Sequence, residues 1–152
     1  MNVLIVDDQY EGKAKQLSRI AASIQGVKCE LVVSAKDALR KMKENEYELV
    51  IVDLQIPPEN GQEVEPLGGQ NLLEYVEVSE DLYKPAKILA LTVHQDSYDQ
   101  CSEFFSRRGW TLLLNPAEDH LRDILTAQLM RATTTPQVDI AILTALEHTE
   151  LE

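Results

Sequence analysis

Apolar residues follow two alternating rhythms along this chain. The first is a short, nearly unbroken run rich in valine, isoleucine and leucine: VLIV, KCELVVS, ELVIVDL, KILALT and WTLLLN. Runs of this kind, ended by polar or turn residues, predict strands buried in a sheet. The second rhythm places an apolar residue every three or four positions, the spacing of one helix face. Leu17, Ile20, Ala21 and Ile24 keep it in YEGKAKQLSRIAASIQG, and Gly26 stops it. Ala35, Ala38, Leu39 and Met42 keep it in AKDALRKMKENE, with Ser34 as the N-cap. QNLLEYVEVSE and SYDQCSEFFSRRG predict two further helices, the second closed by Gly109. AEDHLRDILTAQLMRA predicts a fifth, with Leu121, Ile124, Leu125, Gln128 and Leu129 facing inward.

Five apolar strands alternating with five helices predict an α/β fold, a doubly wound parallel sheet with helices on both faces. One stretch breaks the alternation. QIPPENGQEVEPLGG, from Gln55 to Gly69, holds three prolines and three glycines and predicts a long loop.

In a doubly wound sheet the working crevice lies beyond the carboxyl ends of the strands. The predicted ends carry Asp7 and Asp8, then Asp53, Thr92 and Asn115. Three carboxylates would converge on one patch. At about 4 Å and an effective dielectric of about 20, each like-charged pair repels by roughly 4 kcal/mol. Such a patch needs a proton or a cation. An all-oxygen donor set suits a hard ion, and Mg²⁺ is the usual intracellular one. Mg²⁺ keeps open positions for phosphate oxygens, and a carboxylate can itself accept a phosphoryl group. A lone aspartate at a strand end is an ordinary loop residue. VDD and VDL at matched ends, with a threonine at a third, favour a site.

Size and charge narrow the class. The 152 residues suffice for one domain with an extension, and 44% hydrophobic with 26% charged residues is a globular composition. A net charge of −12 is repelled by nucleic acid phosphates and anionic membranes, so neither direct nucleic acid binding nor a membrane partner is expected. No apolar run is long enough to span a bilayer, and MNVLIVDDQ lacks the marks of a secretion signal, so the expected location is cytoplasmic. Cys29 and Cys101 fit no metal-ligand spacing and read as reduced thiols. No Ser-His-Asp or zinc pattern supports a stand-alone hydrolase.

VLIVDDQ, LVIVDLQIP and ILALTVH, in that order, resemble the receiver domain of two-component response regulators. The resemblance spans about residues 2 to 132 and sets the domain at 1–132. It implies a flavodoxin-like strand order, 2-1-3-4-5. It implies that Asp53 accepts a phosphoryl group from a sensor histidine kinase or phosphotransfer protein. Asp8, Asp53 and the Gln55 carbonyl would hold Mg²⁺, with Asp7 acting through water. Thr92 would swing toward the phosphoryl oxygen. Catalysis would be limited to the domain's own phosphorylation and dephosphorylation. An attached output domain would be regulated, and a homodimer is one assembly such a domain could adopt. His94 sits two residues past Thr92, where the family often tunes dephosphorylation; a plain loop histidine is the alternative.

The chain departs from the family in three places. Pro58 to Gly68 contains an insertion, a lid or partner contact on one reading and a tolerated surface loop on the other. Leu112 stands where an aromatic is usual, and Trp110 is the nearest aromatic. Asn115 stands where a lysine is usual. A charged hydrogen bond to a phosphoryl oxygen is worth about 1.5–3 kcal/mol and a neutral one about 0.5–1.5 kcal/mol. Asn115 would therefore leave phosphorylation intact and weaken the conformational response. The YKP of residues 83–85 does not replace the lysine, because it precedes the fourth strand. The rival reading is a pseudo-receiver, a phosphorylation-independent protein-interaction module.

After TTTPQ, which reads as a linker, a new apolar run begins in VDIAILTALEHTELE. It is similar to the opening of nucleoside phosphorylase-like hydrolases. Residues 133–152 are accordingly expected to be a linker and the first strand of a truncated second domain, or a C-terminal extension.

Overall fold

A computed structural model of the protein describes residues 1–130, the Tyr10 side chain excepted. The predicted linker and tail at 133–152 lie outside the described residues, as do the last two residues of the predicted domain. Five strands form one sheet in the order β2-β1-β3-β4-β5. They are β1 (Asn2–Val6), β2 (Lys28–Val32), β3 (Leu49–Asp53), β4 (Lys87–Thr92) and β5 (Thr111–Leu114). Every pairing is parallel. Helices α1 (Lys15–Ala22), α2 (Ala35–Glu44), α3 (Gly68–Val78) and α4 (Gln95–Arg108) alternate with them, and α5 covers 118–130. The flavodoxin-like doubly wound order expected from the sequence is the one observed.

The period of two along each strand sorts its side chains into two cores. Leu4, Val6, Val50, Val52 and Ala90 meet Met42 of α2, Leu73 of α3 and Phe105 of α4. Val3, Ile5, Leu49, Ile51 and Leu89 meet Leu17 of α1 and Leu121 and Leu125 of α5. The inner strands β1, β3 and β4 are buried nearly throughout, as their unbroken apolar runs predict. The edge strands are half-exposed, which is why β2 tolerates Lys28 and Glu30.

Local signals behave as expected at several ends. Ser34 caps α2, its Oγ accepting from the Asp37 N–H at 3.2 Å. Gly109 closes α4 in the left-handed conformation at φ 69°. Lys84 donates to the Glu77 carbonyl at 2.9 Å, so YKP joins the C-terminus of α3 to the amino end of β4, the opposite end of that strand from Thr92. Trp110 precedes β5 and packs edge-to-face on Phe104 and Phe105 at 6.0 and 6.1 Å. It is a packing residue of the α4–β5 corner. Leu112 packs against the same core.

Two elements start elsewhere than the periodicity predicts. The first helix does not run unbroken from Tyr10. A widened turn, Tyr10–Ala14, comes first, with Gly12 at φ −95° and ψ −126°, and regular helix begins at Lys15. Helix α3 opens at Gly68 rather than after Gly69, because both glycines lie against backbone. A Cβ would come within 2.3 Å of the Ile56 carbonyl oxygen at Gly68, and within 2.6 Å of the Asp53 carbonyl oxygen at Gly69. The insertion at 58–68 is tied down on both sides. The Glu65 N–H donates to the Ile56 carbonyl at 3.1 Å. The carbonyls of Pro57 and Pro58 accept from the Ala35 and Lys36 N–H groups at 3.0 and 2.9 Å, satisfying donors that the first turn of α2 leaves unpaired.

The Gly69 contact gives a direct test. Gly69→Ala is expected to lower the unfolding free energy by about 1–3 kcal/mol, the usual range for forcing an atom into a packed site. Urea denaturation followed by circular dichroism measures it, and a gain in stability from the added helix propensity would contradict the contact.

Candidate functional site

The parallel ladder runs one hydrogen bond past the strands and carries the site residues with it. The Asp7 N–H donates to the Val32 carbonyl at 3.0 Å, Leu54 to Leu91 at 3.0 Å, and Asn115 to Thr92 at 2.7 Å. Registers Val6↔Val52 and Asp53↔Leu91 then bring the ends of β1, β3 and β4 level. Strand order reverses between β1 and β3, so the crevice opens there.

At three of these ends the side chain makes the same local turn. Asp7 Oδ1 accepts from the Gln9 N–H at 2.9 Å, Asp53 Oδ1 from the Gln55 N–H at 3.0 Å, and Thr92 Oγ1 from the His94 N–H at 3.1 Å. Aspartate and threonine adopt this two-residue turn readily. It fixes each side chain's direction before any ligand arrives.

The structure brings Asp7, Asp8 and Asp53 together. One ligand oxygen from each lies within 4.8 Å of the others. Asp7 is buried, and Asp8 and Asp53 are half-buried. Burial raises Asp7 to a pKa of about 6, against the Gln9 N–H bond that lowers it and with the Asp8 charge that raises it further. Burial likewise raises Asp53 to about 7; the Gln55 N–H opposes this, and the charges of Asp7 and Asp8 add to it. Asp7 and Asp53 are also hydrogen-bonded to each other. Without a cation, these two carboxyls hold a shared proton near neutral pH. The donor set is hard oxygen, concave and charge-strained, which fits a divalent cation such as Mg²⁺.

The other predicted residues fall around this cluster. Thr92 is buried at the end of β4 and lines a cavity of about 280 Å³ with Asp7 and Asp53. Gln55 sends its side-chain amide to Ser97 Oγ at 3.2 Å, tying the loop to the first turn of α4. Its carbonyl takes no donor among the described residues. Gln55, Asp8 and Asp53 line a second cavity, of about 70 Å³, with Val64 and His94. Val64 belongs to the insertion, so that loop reaches the site. Asn115 is exposed, has φ 40°, and is not among the residues lining either cavity.

Lys13 was not anticipated. It lines the larger cavity, and its ammonium donates to the Pro116 carbonyl at 2.6 Å. The sequence held one signal for it. A glycine inside a helical pattern often marks a packing or functional need, and Gly12 interrupts the first helix beside Lys13.

No protein-family model matches this chain. It is 30% identical over 112 residues to the uncharacterized protein y4jS of Sinorhizobium fredii, a match covering 72% of this chain and 27% of that protein. The chain thus spans about a quarter of the length of that curated relative. Among solved structures it resembles the chemotaxis response regulator CheY4 of Vibrio cholerae, with TM-score 0.63 and 22% identity over 84% of this chain and 97% of that one. It also resembles the receiver domain of the Francisella response regulator 1452, with TM-score 0.65 and 20% identity over 86% and 97% of the two chains. A CheY-like receiver domain from Methylobacillus flagellatus matches with TM-score 0.59 and 21% identity over 84% and 98%. The fold is that of the CheY-like receiver domains. Among the described residues, no helix is long and apolar enough to cross a membrane.

The carboxyl cluster has a consequence for stability. Asp7 and Asp53 have pKa values raised from the usual 3.8, so the folded state binds more protons than the unfolded state between about pH 4 and pH 7. Stability of the metal-free protein is therefore present at the acidic side of that window and lost as pH rises through it. In chelator, the melting temperature is expected to fall between about pH 4 and pH 7, and that of Asp53→Asn to fall less and be higher at the upper pH. Thermal unfolding of both proteins checks this; equal pH slopes would contradict the shared proton.

Proposed function

We propose that the protein is the phosphoacceptor receiver of a two-component signalling system. Asp53 accepts the phosphoryl group, and a sensor histidine kinase or phosphotransfer protein donates it. The observation that carries this reading is the cluster of Asp7, Asp8 and Asp53, with ligand oxygens within 4.8 Å of one another, two of them, Asp7 and Asp53, lining one cavity with Thr92. The proposal includes a cytoplasmic location and control of an output domain attached to the chain, with no direct contact to nucleic acid.

Asp8, Asp53, the Gln55 carbonyl and, through water, Asp7 would hold Mg²⁺. Bound there, Mg²⁺ neutralises phosphoryl charge and keeps Asp53 ionised. A carboxylate oxygen of Asp53 attacks phosphorus in line. The O–P bond forms as the N–P bond of a phosphohistidine protonated on its other ring nitrogen breaks, and the electron pair stays on the departing nitrogen, so the ring leaves as neutral imidazole. Hydrolysis reverses the loading: water attacks phosphorus, the O–P bond breaks, and carboxylate and phosphate remain. The Gln55 N–H holds one oxygen of Asp53, leaving the other to react. Thr92, whose hydroxyl accepts from the His94 N–H, has its proton free to donate to a phosphoryl oxygen.

One observation favours a second reading, the pseudo-receiver. Position 115, where the family resemblance expects a lysine, holds an asparagine that is exposed and lines neither cavity. Intact-mass spectrometry separates the two readings. With acetyl phosphate and Mg²⁺, the parent protein is expected to gain one phosphoryl group, and Asp53→Asn to gain none. An unmodified parent protein that still binds Mg²⁺ and takes up no beryllofluoride would support the pseudo-receiver instead. Mg²⁺ affinity is expected to rise with pH through the range of about 6 to 7, because the cation displaces the proton shared by Asp7 and Asp53. Calorimetric titration at several pH values measures this.

A further inference from the structure

We propose that Lys13 is the cation that binds the phosphoryl oxygens in this protein, taking from the opposite end of the chain the part that Asn115 cannot play. This deepens the receiver reading and rests on it.

Three observations carry the assignment. Lys13 lines the same cavity as Asp7, Asp53 and Thr92, and among the described residues it is the one permanently charged cation lining either cavity beside Asp53. Its ammonium is directed to the β5 side of the crevice, donating to the carbonyl of Pro116, the residue after Asn115. Among the described residues it is not paired with a carboxylate, whereas Lys15, two residues on, lies 3.5 Å from Glu11. An ammonium has three donors, and the Pro116 carbonyl engages one. Two remain for an oxyanion entering the cavity.

The backbone explains how the lysine gets there. A helix running without a break from Tyr10 would carry residue 13 on regular i, i+4 spacing. Instead the chain makes a widened turn over Tyr10–Ala14, and Gly12 departs from helical dihedrals immediately before Lys13. Widened turns of this type re-aim side chains and are frequent at functional sites. Gln16, one turn along, lines the same cavity, and its Oε1 is buried without a hydrogen-bond partner among the described residues. Lys13 and Gln16 thus bring unengaged polar groups to the cavity that Asp53 lines. The long flexible stem of a lysine lets its head leave Pro116 for a ligand while remaining in the cavity.

The plain alternative is a structural tether, in which Lys13 pins the first helix to the β5–α5 connection and does nothing for the anion. Binding of beryllofluoride, a non-transferable phosphoryl mimic, distinguishes the two. Its affinity is measured by ¹⁹F NMR at saturating Mg²⁺ for the parent protein, Lys13→Met and Lys13→Arg, with thermal unfolding and Mg²⁺ affinity recorded for each. Loss of one charged hydrogen bond predicts weakening by about tenfold to a hundredfold in Lys13→Met. Lys13→Arg is expected to keep most of the affinity, and all three proteins to bind Mg²⁺ alike. Beryllofluoride binding by Lys13→Met equal to that of the parent protein would overturn the assignment, including the case where only its melting temperature drops. A parent protein that binds Mg²⁺ but no beryllofluoride would overturn the receiver chemistry itself, and this inference with it.

Discussion

Everything at the site depends on the register of a parallel ladder. In parallel strands buried on both faces, a one-residue slip would send every core side chain into the opposite layer. Val6↔Val52 and Val52↔Ala90 are held by two apolar layers at once, so the residues one or two positions further on are held too. The single hydrogen bonds that extend the ladder to Asp7, Leu54 and Asn115 transmit that order into the loops. A site whose members lie 46 residues apart is in this way as well fixed as the core beneath it.

What that register assembles is electrostatically unfavourable in the bare protein. Burial pushes Asp7 and Asp53 upward, and the nearby Asp8 charge pushes the same way. The three two-residue turns at Asp7, Asp53 and Thr92 keep the side chains from relaxing into solvent. Strain of this kind is maintained only when the surrounding structure over-determines it, and it is what a divalent cation or a proton relieves. Lys13 lines the same cavity as Asp7 and Asp53, its ammonium held by the Pro116 carbonyl. Cation and carboxylates thus line one cavity with no ion pair joining them among the described residues.

The insertion at 58–68 occupies a middle position between the two readings the sequence allowed. Most of its side chains face solvent, yet Val64 lines the smaller cavity with Asp8 and Asp53, and the Pro57 and Pro58 carbonyls cap the first turn of α2. It is a structured surface loop that also forms one wall of the site. The glycine pair that follows it, Gly68 and Gly69, is required by close backbone approach to Ile56 and Asp53, which couples the start of α3 to the acceptor strand.

The sequence by itself determined the fold class, the alternation of elements and the three aspartates, because burial on both faces writes unbroken apolar runs and the residues ending those runs are read directly. It also marked Ser34, Gly26 and Gly109 as punctuation, since capping and positive φ are local requirements. The widened turn at Tyr10–Ala14 was not legible, because helical periodicity in the residues after it masked a break made by one glycine. Nor was Lys13 legible as a site residue, 103 positions from the carbonyl it meets. That Lys13 lines one cavity with Asp53 was decided only by the tertiary structure. A charged head on a flexible stem carries no periodic signature, and its partners are chosen by the packing of the elements around it.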